Sequence, residues 1–567
     1  MTRYRAAAGA ASALAAALAL TGAAASAAGT AEVATADEPV THEQNDRVPE
    51  GAAWTQHYFP SADDSGTELH ADVLLPEGLA PGEQVPVILS AGPYFGHSGQ
   101  LTDEGFEHTG PSNRFDEFIE GTDLFERGYA FVRVDTRGFG GSTGCLDYAG
   151  PGEQADVRAA IDWAANMPWS TGSVGMYGKS YDAITGLIGV GLDPDALKAV
   201  IAQEPIWDPY RNTHSNGVPR TTAVNVAGTY NGLAALPQLP DDDPHYRANS
   251  EYEQAHPECL IDNQAGYLNG NPDSEHWRAR DLPELAKGTD TPLFLTQGLL
   301  EWNTEPEAMQ EFLDDHEGPE RGWIGPWDHV RGDERTADGR LAMGREGWFE
   351  EAMSFYDEHL KGIAPPVRYP AFAVQDGSGA WRGQDSWPMP DRSARVELSG
   401  GSYVDDGGDD GPTGGIVERS EPVARDTRIT GTPRISLEAE GRGNVMVQLH
   451  DVAPDGTAVM FDEQVAVLRS GTTEFDLKST DWTLPAGHSL AVEIGTVEPG
   501  GVQTPFRDWI DAPSRETVQV RGARLDLALD DPADDVAQPG ARAPYLDTYL
   551  AMFTAPLPPA DPTFTLP

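Results

Sequence analysis

The chain has 567 residues, of which 39% are hydrophobic and 23% charged, so we expect two or three globular domains rather than one core. Asp plus Glu number 91 against 38 Lys plus Arg, which gives a formal net charge of −53. Such a negative surface repels nucleic acid and anionic lipid, and we exclude both as partners. Because salt screens the self-repulsion of such a surface, the high charge suggests adaptation to a saline habitat.

The first 27 residues have the pattern of a secretory signal peptide. Arg3 and Arg5 precede an alanine- and leucine-rich run over 6–20, and Ala25-Ser26-Ala27 supplies a small-x-small cleavage site. We therefore expect a secreted, extracellular protein cleaved near Ala27, with an uncleaved membrane anchor as the alternative. No other apolar run in the sequence reaches spanning length, so we expect no membrane partner.

After a flexible acidic lead-in over 28–50, strand-like and helix-like segments alternate from residue 51 to residue 206. The predicted strands cover 69–75, 85–90, 129–134, 174–177 and 199–206, and the predicted helices 154–166 and 183–190. This alternation implies a parallel sheet of an α/β fold, with ligands at the carboxyl ends of its strands.

The alternation is interrupted over 207–288, which we interpret as a helical cap inserted into the α/β domain. It resumes over 289–365, with a strand at 292–297 and helices at 305–316 and 348–362. From 366 to 567 short alternating strands between Gly and Pro turns predict a β-sandwich. The acidic run over 405–410 lacks the spacing of a known calcium loop, so we expect a solvated loop.

Cys145 and Cys259 are the two cysteines of the chain. In an oxidising compartment we expect them to form one disulfide across 114 residues, with two separate buried thiols as the alternative. Neither cysteine has the spacing of a zinc site, and we expect no cofactor and no metal.

Gly178-Lys179-Ser180-Tyr181-Asp182 lies between a short apolar run and a small-residue helical run. A strand, a tight turn with serine at its tip and a helix form a nucleophile elbow, which makes Ser180 the candidate nucleophile. An ordinary turn serine is the alternative. A serine hydroxyl needs a neighbouring base and an oxyanion hole to react at neutral pH.

Two later strand ends supply the base and the acid in the chain order typical of such hydrolases. Glu301 follows one predicted strand, and His329 follows the next. His329 could instead be structural and Glu301 a surface acid, with Asp328 or Asp208 then candidates for the third triad member.

The predicted oxyanion hole combines the Tyr181 backbone N–H with the phenol of Tyr94, which follows an early strand. A core aromatic is the alternative role for Tyr94. The Gly138–Gly144 turn lacks the register of a dinucleotide-binding loop, so we exclude that function.

Six short motifs then occur in one order. They are Pro93-Tyr94, Asp135–Gly138 with Gly140–Gly144, Gly178–Tyr181, Gly298–Asn303, Gly325–His329 and Phe355–Gly362. Together they resemble the Xaa-Pro dipeptidyl-peptidase and cocaine esterase (CocE/NonD) family of α/β-hydrolase serine hydrolases. The resemblance implies an α/β-hydrolase fold with an inserted cap and a C-terminal jelly-roll domain.

The resemblance also implies Ser180 as nucleophile, His329 as base, and Tyr94 with the Tyr181 amide as oxyanion hole. The sequence departs from the family pattern at two positions. Glu301 stands where the family usually has aspartate, and Ala183 stands where a glycine usually follows the elbow.

We expect a secreted serine hydrolase that acts through an acyl-enzyme on a small peptide or ester, in an oligomeric state that the sequence leaves open. The elbow and the Trp207–Tyr210 segment resemble the peptidase branch and favour release of N-terminal Xaa-Pro dipeptides. A cocaine-esterase-type carboxylesterase or acylase is the alternative, and a non-catalytic secreted binding protein is the alternative from another class. A dipeptidyl-peptidase must bind a free α-ammonium, for which Glu204, Asp208, Glu251 and Glu253 are available.

Overall fold

A computed structural model describes residues 45–99, 106–408, 415–469, 471–498 and 507–567. The predicted signal peptide and most of the predicted lead-in lie outside the described residues. Within those ranges, no helix has both the length and the apolar character needed to cross a membrane.

The first part of the chain forms six strands and three helices, which confirms the predicted alternation. The strands are β1 (Ala52–Pro60), β2 (Glu68–Pro76), β3 (Val85–Gly92), β4 (Ala130–Asp135), β5 (Ser170–Lys179) and β6 (Leu197–Gln203); the helices are α1 (Asp116–Gly121), α2 (Pro151–Asn166) and α3 (Tyr181–Leu192). β3, β4, β5 and β6 are parallel, and their central residues are fully buried, as expected for a sheet covered on both faces.

The inserted segment is mainly helical, as its sequence predicted. It contains α4 (Pro209–Thr213), β7 (His214–Ser215), β8 (Val218–Pro219), α5 (Thr221–Ala234), α6 (Pro244–Asn249), α7 (Tyr252–Ala255), α8 (Glu258–Tyr267), α9 (Glu275–Arg278) and α10 (Leu282–Ala286). Cys259 on α8 is bonded to Cys145 in the loop between β4 and α2, so a disulfide joins the insertion to the sheet domain.

The α/β pattern then continues beyond the predicted boundary at residue 366. Its elements are β9 (Leu293–Gly298), α11 (Met309–Asp315), β10 (Glu320–Gly325), α12 (Trp348–Lys361), β11 (Phe372–Gln375) and β12 (Trp381–Gln384). β11 pairs in parallel with β10 and antiparallel with β12. The hairpin over 372–384 therefore extends the hydrolase sheet, although its sequence resembles that of the sandwich strands.

The rest of the chain is rich in strands. Its elements are β13 (Arg392–Leu398), β14 (Gly401–Val404), β15 (Ile416–Ser420), β16 (Thr427–Gly431), β17 (Arg434–Glu440), β18 (Asn444–Val452), β19 (Thr457–Val467), β20 (Gly471–Asp476), β21 (Thr480–Leu484), β22 (Ser489–Gly495), β23 (Thr517–Asp530), a 3₁₀ turn (Pro532–Asp534), β24 (Val536–Ala537), α13 (Pro544–Phe553), β25 (Thr554–Pro556) and β26 (Pro562–Phe564). A seven-stranded sheet around β23 and a six-stranded sheet in the order β25-β19-β18-β22-β15-β26 share one hydrophobic core. β24 joins the edge of the hydrolase sheet at β12.

The central sheet has the order β1-β2-β4-β3-β5-β6-β9-β10-β11-β12-β24. Ser180 follows β5, Glu301 follows β9 and His329 follows β10. In the sheet, β6 lies between β5 and the neighbouring strands β9 and β10. The carboxyl ends of these parallel strands lie at one edge of the sheet, so the three predicted triad residues occupy the same edge. The described part of the acidic run over 405–410 is folded, because Asp405 accepts hydrogen bonds from Thr496 Oγ1 and the Ser514 amide.

Candidate active site

Ser180 lies between the end of β5 and the start of α3 with φ 65° and ψ −123°. This left-handed φ is uncommon for a residue other than glycine and is the strained backbone expected at a nucleophile elbow. The Ser180 N–H donates to the Gln203 carbonyl of β6 at 2.9 Å, which fixes the turn to the neighbouring strand. The conformation places the serine side chain at the tip of the turn.

Two glycines allow the close packing around this turn. A Cβ on Gly178 would lie 2.1 Å from the Asp182 carbonyl oxygen, and a Cβ on Gly92 would lie 1.8 Å from the Asp182 carboxylate. Because Gly178 supplies the close approach of strand and helix, a fully buried Ala183 is accommodated where the family usually has glycine.

Asp182 forms a buried ion pair with Arg114 in the loop before α1. Burial raises the pKa of Asp182 to about 6, although the guanidinium opposes that shift. Arg114 also donates to the Lys179 carbonyl at 2.9 Å and lies over the Tyr94 ring, 4.5 Å from its centre. One arginine therefore links the elbow to the predicted oxyanion tyrosine, a connection that the sequence did not reveal.

Glu301 and His329 are in direct contact. His329 Nδ1 lies 2.7 Å from Glu301 Oε2, and the other oxygen of Glu301 accepts from the backbone amides of Asn303 and Thr304. Glu301 is 1% exposed, whereas the His329 side chain is 19% exposed. A carboxylate only accepts hydrogen bonds, so this contact makes Nδ1 the protonated nitrogen and leaves Nε2 able to act as a base.

Burial lowers the pKa of His329, while the Glu301 carboxylate opposes that shift. Burial alone would raise the pKa of Glu301, but the contact with His329 and the two amide donors overcome it and lower that pKa. At neutral pH the pair is therefore a neutral imidazole held by an ionised carboxylate. This is the charge state that a serine hydrolase needs for its base.

Lys179, the residue before Ser180, donates from Nζ to the His329 carbonyl at 3.1 Å. Burial lowers the pKa of this lysine to about 8. The Lys179 side chain thus links the elbow to the backbone of the histidine loop.

Glu204, at the end of β6, lies behind the pair and was not predicted to support it. Its carboxylate accepts from the Gly298 amide at 2.7 Å and from the Trp327 indole at 3.0 Å. Burial and the nearby Glu301 carboxylate raise its pKa well above the usual range. Because Gly298 begins the acid loop and Trp327 the histidine loop, Glu204 fixes their relative positions.

Tyr94 is half-buried, and its hydroxyl lies 2.7 Å from the hydroxyl of Tyr230 on α5 of the insertion. Burial raises the pKa of Tyr94 to about 12, so the phenol keeps its proton. Tyr181 is the first residue of α3, where backbone N–H groups lack partners within the helix. The oxyanion hole stays a prediction, and the structure adds Tyr230 as a neighbour of Tyr94 that the poorly patterned cap sequence did not indicate.

The acid loop packs against the C-terminal domain. Leu300 and Trp302 belong to the hydrophobic core of the sandwich, and the Trp302 indole donates to the Tyr545 hydroxyl at 2.8 Å. Arg220, which precedes α5, donates to the Trp302 carbonyl at 3.1 Å and pairs with Asp508 at 2.8 Å. The C-terminal domain therefore supports the loop that carries Glu301.

The other acidic candidates have different contacts. Asp208 caps α4 by accepting from the amides of Tyr210 and Arg211, so it is a helix cap rather than a triad member. Asp328 adjoins His329, but the imidazole hydrogen bond goes to Glu301. Glu253 accepts from the Leu146 amide and from Asn231.

Three of the four carboxylates considered for an α-ammonium, Glu204, Asp208 and Glu253, thus already have structural hydrogen bonds. The fourth, Glu251, is solvent-exposed.

The comparisons with known proteins agree with this architecture. The model of the X-Pro dipeptidyl-peptidase family S15 matches residues 65–331, and the model of the X-Pro dipeptidyl-peptidase C-terminal non-catalytic domain matches residues 363–505. The two models bear the name of one family, the X-Pro dipeptidyl-peptidases, and each matches one of the two domains of this chain.

Individual relatives are distant. The cocaine esterase of Rhodococcus sp. is 25% identical over 59% of this chain and 61% of its own length. A putative Xaa-Pro dipeptidyl-peptidase of Bacillus cereus is 24% identical over 73% of this chain and 80% of its own. The crystal structure of an aminopeptidase from a marine sediment Thaumarchaeota archaeon superposes with a TM-score of 0.62 at 18% identity, covering 88% of this chain and all of that one.

Proposed function

We propose that this protein is a secreted serine hydrolase that forms an acyl-enzyme on Ser180 and releases N-terminal Xaa-Pro dipeptides. The observation that carries the proposal is the strained serine of the elbow at the same sheet edge as the His329–Glu301 pair. The family match supports a peptidase or esterase chemistry for this constellation.

In the proposed reaction His329 Nε2 takes the proton of Ser180 as Oγ attacks the substrate carbonyl carbon. Glu301 stabilises the imidazolium that forms, and the Tyr181 amide and the Tyr94 hydroxyl donate to the developing oxyanion. Collapse of the intermediate breaks the carbonyl bond to the leaving group, which receives the proton from His329. Water then attacks the acyl-enzyme by the same route and regenerates Ser180.

The family model named for X-Pro dipeptidyl-peptidases favours a peptide as the substrate. One observation favours the esterase alternative: Glu204 and Glu253 are buried and Asp208 caps α4, so these three carboxylates already have structural roles, and of the four candidates only Glu251 is solvent-exposed. An ester substrate of the cocaine esterase type requires no such carboxylate.

The test uses the purified protein with a fluorophosphonate probe and three chromogenic substrates. These are Ala-Pro-p-nitroanilide, its N-blocked form and p-nitrophenyl butyrate. We expect labelling that Ser180→Ala abolishes and Ser173→Ala, a control on β5, leaves intact. Cleavage of the free dipeptide amide alone supports the peptidase, and hydrolysis of the ester alone supports the esterase. A protein that neither reacts with the probe nor cleaves any substrate is the binding protein of the third alternative.

Secretion is tested separately by expressing the full chain in a bacterial host that exports proteins. N-terminal sequencing of protein from the medium is expected to start near residue 28. Protein that stays cell-associated with an intact N-terminus would contradict export.

A further inference from the structure

A second cluster of polar side chains lies at β2, three strands away from β5 in the sheet order. His70 and Asp72 lie on β2 at i and i+2, which places them on one face. His97 lies in the loop after β3, three residues beyond Tyr94. All three side chains are at most 1% exposed, and one ligand atom from each lies within 4.8 Å of the others.

A further carboxylate orients each imidazole. His70 Nδ1 lies 2.9 Å from Asp135 Oδ2, and His97 Nδ1 lies 2.8 Å from Asp242 Oδ2. These carboxylates accept hydrogen bonds, so both Nδ1 atoms carry protons and both Nε2 atoms are directed towards Asp72. A histidine held in this way by a carboxylate is the usual arrangement around a protein-bound metal.

Protonation of the histidines does not by itself give every buried ring nitrogen of the cluster a hydrogen-bond partner. An imidazolium at His97 pairs with Asp72 at 3.1 Å and with Asp242 at 2.8 Å, and both contacts are good hydrogen bonds. His70 Nε2, however, has no hydrogen-bond partner among the described residues, and its nearest Asp72 oxygen is 3.9 Å away. A buried nitrogen without a partner is costly, and a cation bound by both Nε2 atoms and Asp72 removes that cost.

We propose that His70, Asp72 and His97 bind one divalent transition-metal ion, for which Zn²⁺ is the probe. Zinc prefers nitrogen and carboxylate ligands at about 2.0–2.2 Å, so ligand atoms of a tetrahedral site lie about 3.3 Å apart. The contact of 3.1 Å between His97 Nε2 and Asp72 is close to that spacing. His70 Nε2 is 3.9 Å from Asp72 and within 4.8 Å of the other ligand atoms, so a movement of His70 towards them closes the other two sides. Three protein ligands leave a fourth position for water.

The surroundings favour a dication at this position. The Trp54 indole donates to Asp72 Oδ1 at 2.6 Å and fixes the carboxylate, while the Asp135 and Asp242 carboxylates supply negative charge around the ligands. His97 also stacks on Tyr246 of α6, with ring centres 4.0 Å apart. The ion would therefore join β2 to the loop that carries Tyr94 and, through Asp242, to the insertion. This role is structural and does not depend on the substrate.

The expectation of no metal rested on the spacing of the two cysteines. His70-x-Asp72 followed by His97 matches no short metal motif. The ligands come from one strand and one loop that the fold alone brings together. The orienting Asp242 is more distant still, in the insertion.

The test measures metal directly. The protein is purified without a histidine tag, stripped with a chelator and titrated with Zn²⁺, and bound metal is quantified by mass spectrometry. We expect about one equivalent per chain, a melting temperature that rises with Zn²⁺, and the intense visible absorption of tetrahedral Co²⁺ when cobalt replaces zinc. Recovery of iron in the protein as isolated supports the same site, because two histidines and one carboxylate also suit Fe²⁺.

Three variants separate this site from adventitious binding. His70→Gln is expected to lose the metal, and Asp135→Asn to bind it about 10–100-fold more weakly, which keeps the test informative if the first variant fails to fold. His316→Gln is the matched control, because His316 is equally buried but has both ring nitrogens paired, with Glu320 and the Thr291 carbonyl. Zinc retained at full stoichiometry and affinity by His70→Gln, or no zinc bound by the wild-type protein, overturns the proposal.

Discussion

Ser180 and Glu301 follow strands of the same sheet, but their loops are stabilised by different parts of the molecule. The elbow is held within the hydrolase domain, by the Gln203 carbonyl, the close approach at Gly178 and the Arg114–Asp182 pair. The acid loop is held from within that domain by Glu204, through the Gly298 amide, and also from outside it, since Trp302 packs in the core of the C-terminal sandwich.

This difference suggests a division of roles between the domains. The hydrolase domain sets the strained backbone of the nucleophile, whereas the loop that carries Glu301 depends on contacts with both domains. The following changes test each side of that comparison, beginning with the largest expected effect.

Ser180→Ala removes the predicted nucleophile without changing the fold of the elbow. We expect kcat to fall by about 10⁶-fold, because the histidine and the acid cannot act without it. The measurement is kcat on whichever substrate the wild-type protein cleaves, with the melting temperature as a check on folding. A Ser180→Ala protein with appreciable activity would place the nucleophile elsewhere.

Glu301→Gln removes the charge that orients and stabilises His329, and we expect kcat to fall by about 10⁴-fold. Glu301→Asp is the informative companion, because it keeps the charge on a side chain one methylene shorter and matches the usual family acid. It should retain more activity than the glutamine variant. Equal activity of Glu301→Gln and wild type would show that another acid supports His329.

Tyr94→Phe removes one predicted oxyanion donor on the elbow side of the site. We expect kcat to fall by about 10²–10³-fold with little change in KM, because the lost hydrogen bond forms in the transition state. Tyr230→Phe serves as the control, since it removes only the neighbour that Tyr94 contacts. Its effect should stay at or below about 10-fold, the range of one neutral hydrogen bond.

Trp302→Ala tests the support of the acid loop by the C-terminal domain. Loss of a buried tryptophan destabilises a protein by about 3–5 kcal/mol, and displacement of Glu301 should lower kcat by about 10²-fold. The matched control is Trp482→Ala, which empties the same core at a tryptophan that stacks on Phe461 and donates to Asp451. A similar loss of stability with unchanged kcat is expected there. Unchanged kcat in both variants would argue against the division of roles.

The smallest effect is on the pH profile of kcat/KM. The reaction needs neutral His329, and burial lowers its pKa from 6.5, so the acid limb should have its midpoint below pH 6.5. Glu301 opposes this shift, and the residual activity of Glu301→Gln should therefore persist to still lower pH. A limb that moves to higher pH in this variant would contradict the assigned contact.

The sequence predicted the elbow, the order of the triad and the helical insertion, because each is encoded by local pattern and chain order. Glu301 and His329 could be placed since both directly follow predicted strands. The distance of 2.7 Å between His329 Nδ1 and Glu301 Oε2 depends on how the two loops pack in the fold, which the sequence alone does not show.

Residues whose roles depend on distant contacts escaped prediction. Arg114, Glu204 and Tyr230 carry no local signature, and they gain their roles from loops and a helix that meet only in the folded chain. The hairpin over 372–384 was assigned to the sandwich for a related reason: an antiparallel hairpin at the edge of the hydrolase sheet shows the same alternation as a sandwich strand.

The Cys145–Cys259 disulfide closes a loop of 114 residues that includes the elbow. A crosslink across a loop of this length restricts the unfolded chain and, in the chain-entropy model, stabilises the fold by about 4–5 kcal/mol. On the proposed route of secretion, a precursor in a reducing cytoplasm lacks this stabilisation and unfolds more readily. Oxidation after export would then act as a maturation step that makes the chain resistant to unfolding.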